Sequence, residues 1–358
     1  MSAAPSLTIA IPTLNEASNI GPLVERFLAT RYPNLVEVLV ADGGSTDGTR
    51  EAVRELGVRD GRVVLVDNPG RIQANGLNLA LERARGEIFL RADAHCLYAP
   101  DYVERCAETL VETGALNVGG AQRFVARTPF QAGIALASRS LLGSGGARYR
   151  DPERSGWAET VYLGCFWRDV LREVGAYSPK ATNEDYELNI RLLAKAQPGT
   201  GGELPHAVYV SSRIRVEYFP RASWQSLFRQ YYWYGRGRCR TILQHPGKSP
   251  LRSSLSFWGI SALLLLVALD LAALGGRLHT LAFLAAGVVA VLAEGARTAL
   301  RFAGRFRDEF WRGDPRALPN LGLRALLCGV VLLTQPVAHF SGFAAELASR
   351  ALGRGAAQ

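Results

Sequence analysis

Cysteine is scarce and unpatterned: the 358-residue chain has five (Cys96, Cys106, Cys165, Cys239 and Cys328), an odd number with no CxxC pair. That spacing excludes a disulfide framework and a zinc finger, and it predicts a reducing compartment. The opening stretch, MSAAPSLTIAIPTLNE, lacks a basic segment followed by an apolar one and breaks at Pro12. No signal peptide is therefore expected, and the N-terminal domain is expected to stay in the cytoplasm. Acidic residues do not gather in blocks, and no aromatic–basic RNA motif is present, so nucleic acid is set aside as a partner. A GxGxxG turn is also missing after the first strand-like run, where Pro12-Thr-Leu-Asn15-Glu16 stands, which weakens a dinucleotide-dependent oxidoreductase.

What the chain has in excess is arginine and, late in the sequence, apolar residues. Its length allows a sizeable core without metals or disulfides, as one large domain with an appendage or two modest domains. With nucleic acid set aside, the formal charge of +9 fits anionic lipid or phosphorylated small molecules. Mean hydropathy is +0.04, high for a soluble protein, and the apolar residues concentrate after about Leu255.

The first hundred residues alternate between two patterns. Residues 7–11, 36–41, 63–66 and 87–91 read as strands, and residues 15–30, 50–56 and 75–84 as helices. The alternation predicts βαβ units, hence an α/β fold with a Rossmann-like, mostly parallel sheet flanked by helices. Such sheets bind ligands at the carboxyl ends of their strands. Asp42 and Asp93 each follow a strand, so both are expected on one edge, where a nucleotide would sit. Residues 116–218 are harder to read. They hold β-like runs at 161–166, 207–210 and 214–218 and a helix at 184–196, taken together as the acceptor half of the same domain.

Beyond Pro220, aromatic and basic residues mix: Trp224, Tyr231, Tyr232, Trp233 and Tyr234 beside Arg229, Arg236, Arg238 and Arg240. That mixture suits an amphipathic segment at a membrane–water boundary. Apolar stretches follow at about 255–274, 278–293 and 321–345, the first and third long enough to cross a bilayer and the second marginal alone. The expected organisation is a cytoplasmic domain over residues 1–220, an interfacial segment over 221–250 and a membrane domain over 251–358. Arg297, Arg301, Arg305, Arg307, Arg312 and Arg316 lie between the second and third stretches. The positive-inside rule then makes the chain a multi-pass protein of the cytoplasmic (inner) membrane, with this loop and the catalytic domain on the cytoplasmic face. The first two spans would form a hairpin turning at Gly275-Gly276. Asp270, inside the first span, is an expensive place for a charge, so it is either functional or near the outer interface.

Four motifs follow in order. They are Pro12-Thr-Leu-Asn15-Glu16, Asp42-Gly43-Gly44-Ser-Thr-Asp-Gly48-Thr49, Asp93-Ala94-His95 after a strand, and Asn183-Glu184-Asp185 opening a helix. Together they resemble family 2 glycosyltransferases with the GT-A fold, over roughly residues 6–245. The RADAHC and NEDYELN stretches and the trailing apolar spans are most similar to bacterial exopolysaccharide glucosyltransferases of the succinoglycan-biosynthesis type.

The resemblance implies an inverting, metal-dependent transfer of a hexose, with glucose expected, from a UDP-sugar to a lipid-linked saccharide in exopolysaccharide or cell-envelope glycan synthesis. Its partners would be UDP-glucose, a polyprenyl-linked saccharide acceptor, membrane lipid and other glycan-assembly enzymes. The alternatives are transfer to polyprenyl phosphate and a membrane-anchored nucleotide-binding regulator without catalysis. Matched motif by motif, Pro12, Asn15, Glu16, Asp42, Gly43, Asp93 and Ala94 would bind the donor, and Asp93 with His95 a divalent metal, Mg2+ or Mn2+. The family commonly has an acid where His95 stands, and imidazole suits Mn2+ better than Mg2+. Asp185 would be the base, with Glu184, Gln230, Trp233 and Arg236 at the acceptor and diphosphate. Gln230 to Trp233 is a degenerate form of the family's Gln-rich motif, with Tyr232-Trp233 where arginine–tryptophan is expected.

The residues' own chemistry leaves other roles open. Asp42 can shape a turn or cap a helix. His95 can be a hydrogen-bonded structural residue, and Asp185 a charge at a helix N-terminus. The segment around Trp233 can be an interfacial anchor. Gly119-Gly120, with Gln122 and Arg123, can line the sugar pocket or form a plain strand and turn.

Overall fold

The protein is seen in a computed structural model that describes residues 4–144, 150–179, 183–196, 204–246 and 254–352. Its strands are β1 (Leu7–Thr13), β2 (Leu35–Asp42), β3 (Val63–Asp67), β4 (Ile88–Arg91), β5 (Cys96–Tyr98), β6 (Asn117–Phe124), β7 (Gly156–Trp157), β8 (Tyr162–Trp167) and β9 (Val208–Tyr218). The helices are α1 (Ala17–Leu28), α2 (Thr49–Arg59), α3 (Gln73–Arg83), α4 (Tyr102–Thr113), α5 (Pro129–Ala137), α6 (Leu141–Ser144), α7 (Arg168–Glu173), α8 (Glu184–Lys195), α9 (Trp224–Gln244), α10 (Leu255–Ala273), α11 (Thr280–Arg301), α12 (Phe306–Phe310) and α13 (Leu321–Ala351). Packing divides the chain into two units. One comprises Met1–Arg123, Arg148–Lys180 and Glu184–Tyr218, the other Phe124–Ala147, Ala181–Asn183 and Phe219–Gln358. Residues 124–144, which the sequence pattern grouped with the N-terminal domain, thus pack with the C-terminal part.

The first unit is a single sheet in the order β3-β2-β1-β4-β8-β6-β9-β5, with β7 on β9. The expected parallel half is present: β1 pairs with β2 and β4, and β2 with β3. β1 and β2 are apolar nearly throughout and buried on both faces, as strands covered by helices on each side must be. Register sets Thr13 against Asp42 and Asp42 against Asp67, which levels three strand ends along one edge. The second half adds β8 antiparallel to β4 and to β6, and β5 antiparallel to β9.

The two runs expected at 207–210 and 214–218 are one strand, β9, because Ser211-Ser212-Arg213 interrupts the apolar pattern without interrupting the backbone. Gly119 and Gly120 lie inside β6. A Cβ on Gly120 would stand 2.1 Å from the Ile214 carbonyl oxygen, and one on Gly119 2.8 Å from that of Tyr162. Close strand approach, not a ligand pocket, accounts for this pair.

The second unit is helical. Where α9 crosses α13, a Cβ on Gly235 would fall 2.0 Å from the His339 carbonyl oxygen, and one on Gly342 1.8 Å from that of Tyr232. Small residues let these helix backbones touch. Helices α10, α11 and α13 are each long and apolar enough to cross a membrane. Trp258, Leu264, Leu265 and Leu269 on α10 and Leu281, Phe283 and Val289 on α11 are exposed, while the buried residue of α10 is Asp270. This inverts the usual pattern of a water-facing helix.

The second stretch was expected to end at residue 293, but α11 continues to Arg301. Glu294 ends the apolar run, not the helix, and Arg297 pairs with it one turn on at 2.6 Å. Asp270 receives the N–H groups of Leu278 (2.8 Å) and Thr280 (3.0 Å) and the Thr280 hydroxyl (2.8 Å), so it closes the α10–α11 turn. Several of the loop arginines also have aromatic seats. Arg301 and Arg305 lie over the Phe302 ring at 5.3 and 5.5 Å. The expected boundary between residues 250 and 251 lies outside the described residues.

Candidate active site

The carboxyl edge of the parallel strands carries a tightly bonded set of loops. Asp42, the last residue of β2, accepts from the Gly44 and Ser45 N–H groups (3.0 Å each), the Ser45 hydroxyl (2.5 Å) and Arg50 (2.8 Å). Burial opposes its ionisation, but the Ser45 and Arg50 bonds outweigh this and hold its pKa below the usual range. These contacts are those of a turn-shaping carboxylate. Arg50 goes on to Asp67 (2.5 Å), tying β2 to β3. Gly44 and Gly48 need their glycine, at φ +87° and +96°; at Gly43 a Cβ would meet only ordinary contacts of 3.5 Å.

Asn15, at φ +57°, takes the Thr46 N–H on its side-chain oxygen (3.0 Å) and gives its own N–H to Ser45 (2.8 Å). Pro12 lies in β1 opposite Ala41, beyond the last β1–β4 pair at Ala10 and Arg91, where its missing N–H is tolerated. The Thr13 hydroxyl and the Asn68 side-chain oxygen are buried at this edge with no hydrogen-bond partner among the described residues. Buried polar groups without a protein partner are available to a ligand's hydrogen bonds.

Asp93 follows β4 and is pinned through its backbone. The Tyr98 hydroxyl accepts its N–H (2.7 Å) and donates to its carbonyl (3.0 Å). Tyr98 itself is wedged against Phe27 and Tyr102, with ring centroids 5.0 and 4.7 Å away. The Asp93 carboxylate accepts from Gln73 (3.1 Å) and Arg91 (3.3 Å), both on Oδ1. Its Oδ2 has no hydrogen-bond partner among the described residues and is not fully enclosed. Ala94 is buried beside it. His95 turns Nδ1 toward Glu16 Oε1 at 3.4 Å and sets its ring edge against Tyr218. The His95 bond is the main reason that the Glu16 pKa is lowered.

Asp185 and Glu184 open α8. Arg91, at the end of β4, bonds Asp185 Oδ1 through Nη1 while its Nε faces Asp93. Its side chain is 4% exposed, whereas that of Asp185 is 36% exposed and open to an incoming group. Burial alone would lower the Arg91 pKa, but Asp185 and then Asp93 hold it well above the ordinary value. Burial raises the Asp185 pKa against the opposing pull of Arg91. The Glu184 carboxyl is pushed up to about 7, first by burial and then by Asp185. The two neighbours therefore differ in kind, one a guanidinium-paired carboxylate and the other poised to hold a proton near neutrality.

Gln230, Trp233 and Arg236 belong to α9 in the second unit. Gln230 donates to the Tyr234 hydroxyl (2.9 Å). Arg236 pairs with Glu346 (2.9 Å) and lies over Trp233 at 5.1 Å, and Arg240 shares the same carboxylate (2.8 Å). These bonds join α9 to α13 and commit Arg236 to that junction.

Arg91 and Thr13 lie inside the matched stretches without a role having been assigned to them, and Tyr98 and Gln73 lie outside them. A signal for Arg91 was available: an arginine ending the buried run Ile88-Phe-Leu-Arg91 requires carboxylate partners, and acids are at hand. Among the described residues, no group of three or more His, Cys, Asp or Glu is arranged to hold a metal ion. Asp93 Oδ2 does fit a cation completed by ligand phosphates, since Mg2+ commonly takes one or two carboxylates and the rest from phosphate and water.

Comparison with known proteins gives the family. The model of glycosyl transferase family 2 matches residues 8–173. The chain is 38% identical over 253 residues to the succinoglycan biosynthesis protein ExoA of Rhizobium meliloti, covering 70% of this chain and 74% of that one. It is 25% identical over 242 residues to a dolichyl N-acetyl-alpha-D-glucosaminyl phosphate 3-beta-D-2,3-diacetamido-2,3-dideoxy-beta-D-glucuronosyltransferase of Methanococcus voltae, covering 65% and 72%. A mannosyltransferase from Pyrobaculum calidifontis, solved with GDP-Man and Mn2+, superposes with a TM-score of 0.47 at 21% identity, over 99% of this chain and 88% of that one. With its motifs in order on a sheet whose parallel half ends at Asp42 and Asp93, the chain is a glycosyltransferase and belongs to glycosyl transferase family 2.

Proposed function

We propose that the protein transfers a hexose, glucose first among candidates, from a UDP-sugar to a lipid-linked saccharide with inversion at the anomeric carbon, in exopolysaccharide or cell-envelope glycan synthesis. The observation that carries this reading is the sharing of one buried guanidinium by Asp93 and Asp185. On this reading a donor-side acid and an acceptor-side acid share a single cation. Asp185 takes the proton of the acceptor hydroxyl as that oxygen bonds to the anomeric carbon, and the nucleoside diphosphate leaves from the opposite side. Inversion needs no second carboxylate as nucleophile. Asp93 Oδ2 would hold a divalent cation, which supplies charge neutralisation to the departing diphosphate when bound. Pro12, Asn15, Glu16, Asp42, Gly43 and Ala94 form the donor edge by shaping its loops, and Thr13 is added to them for its orphaned hydroxyl.

The lipid-linked acceptor is supported by the apolar helices α10, α11 and α13 and by the name of the archaeal relative, which specifies a dolichyl-linked sugar phosphate. If α10 and α11 both cross the bilayer, residues before α10 and the arginine-bearing segment after α11 emerge on one side. The positive-inside rule makes that the cytoplasmic face. Transfer directly to polyprenyl phosphate is the second reading, favoured by a shorter match to a dodecaprenyl-phosphate galacturonate synthase of Rhizobium johnstonii, 36% identical over 93 residues. Acceptor-extension assays decide between them. The proposed function predicts extension of a lipid-diphosphate-sugar and none of lipid phosphate; transfer to lipid phosphate alone contradicts it. Asp185→Asn should bind nucleotide yet lose turnover, whereas a non-catalytic regulator would function unchanged with this substitution.

A further inference from the structure

We propose that Arg91 is a positioning residue for the transfer: it fixes the Asp185 carboxylate in the orientation that receives the acceptor proton, and registers it against Asp93 on the donor side. The inference rests on Asp185 being the base. Three features carry it. The guanidinium is almost completely enclosed, at 4% exposure, so its geometry is set by the fold and not by solvent. It touches Oδ1 of both acids, and in each acid the other oxygen has no hydrogen-bond partner among the described residues. One oxygen of Asp185 is thus held while the second is left for an acceptor hydroxyl, and Asp93 is divided in the same way.

The third feature is the support behind the guanidinium. Arg91 lies over the Tyr177 ring at 5.9 Å. Tyr177 is tied at both backbone groups to Asn78 of α3, at 2.8 and 3.0 Å. The same helix supplies Gln73 to Asp93. One helix therefore braces both the seat of Arg91 and the donor carboxylate. A guanidinium suits this task because it stays charged and presents donors in a planar fork; an ammonium is a point charge that reaches one acid at a time. With Arg91 removed, Asp93, Glu184 and Asp185 would face one another without their buried cation, and Asp185 would be free to swing.

The test uses the full-length protein with Arg91→Ala, Arg91→Lys, Asp185→Asn and the Arg91→Ala/Asp185→Asn double variant, each checked by thermal melting and nucleotide binding. Arg91→Ala should lower kcat by about 100-fold with a much smaller change in donor KM, the scale of loss expected from a misoriented catalytic group. Added guanidinium should restore part of the Arg91→Ala rate and none of the Asp185→Asn rate. The double variant should be no slower than Asp185→Asn alone, since a residue acting through Asp185 has nothing left to position. Should Arg91→Ala fail to fold, Arg91→Lys carries the test, with a kcat lowered about tenfold at an unchanged melting temperature. Arg91→Ala (or Arg91→Lys, in that case) turning over within about threefold of the parent while Asp185→Asn is inactive would overturn the proposal for Arg91 alone. A fully active Asp185→Asn would instead overturn the assignment of the base.

Discussion

Glu184 and Asp185 are adjacent in sequence and burial raises the pKa of both, and for Glu184 this has a measurable consequence. Burial and Asp185 push the Glu184 carboxyl from the ordinary 4.5 to about 7. A folded-state pKa above the unfolded value means that the folded chain keeps a proton which the unfolded chain gives up. The resulting stability is fully present below the unfolded value and is lost as pH rises through about 7. Melting temperature should therefore fall between about pH 5 and pH 8, and Glu184→Gln should flatten that fall. A parent and variant with identical slopes would remove Glu184 from the account. Tyr98 gives a second residue-scale prediction. Tyr98→Phe strips the Asp93 N–H and carbonyl of their shared partner. A loss of about 1–3 kcal/mol is expected, read by chemical denaturation, together with weaker donor binding.

At this scale the motifs pointed to loops at the strand ends but did not reveal how each side chain is used. Asp42 and Asn15 stand where the motif predicts, yet their polar atoms are engaged by neighbouring loops, because a strand-end turn with several unpaired N–H groups draws in whatever acceptors lie nearby. Arg91 opens the RADAHC stretch, yet the stretch did not reveal its role, since that depends on Asp185, 94 residues away in sequence.

At the scale of elements, periodicity recovered the βαβ half because each strand there is a short apolar run bounded by turns. It failed where packing and pattern separate. In β6, glycines serve close strand approach; in β9, a polar insert leaves the ladder intact; in α11, the helix outlasts its apolar stretch. The junction of α9 and α13 is testable directly. Gly342→Ala should destabilise the helical unit by about 1–3 kcal/mol, since its Cβ would collide with the Tyr232 carbonyl oxygen. Gly259→Ala, with nothing within 4 Å, is the matched control and should be neutral or slightly stabilising. Equal melting temperatures for the two variants would show that α9 and α13 do not pack in this way.

For the whole molecule, three apolar helices with outward-facing leucines predict a protein that stays with the membrane fraction through alkaline carbonate and is released only by detergent. Release by carbonate alone would contradict the membrane-spanning reading. This feature was the most legible in the sequence, because length and composition suffice for it; acceptor chemistry was the least legible, because it depends on how distant segments meet. The measurement that tests the central claim most directly is nucleoside diphosphate release from a panel of UDP- and GDP-sugars, with lipid-linked acceptor and Mg2+ or Mn2+, by the parent, Asp93→Ala and Asp185→Asn proteins. The account predicts release of UDP from a UDP-hexose by the parent and a fall of at least about 100-fold in each variant. Turnover that survives both substitutions would contradict it.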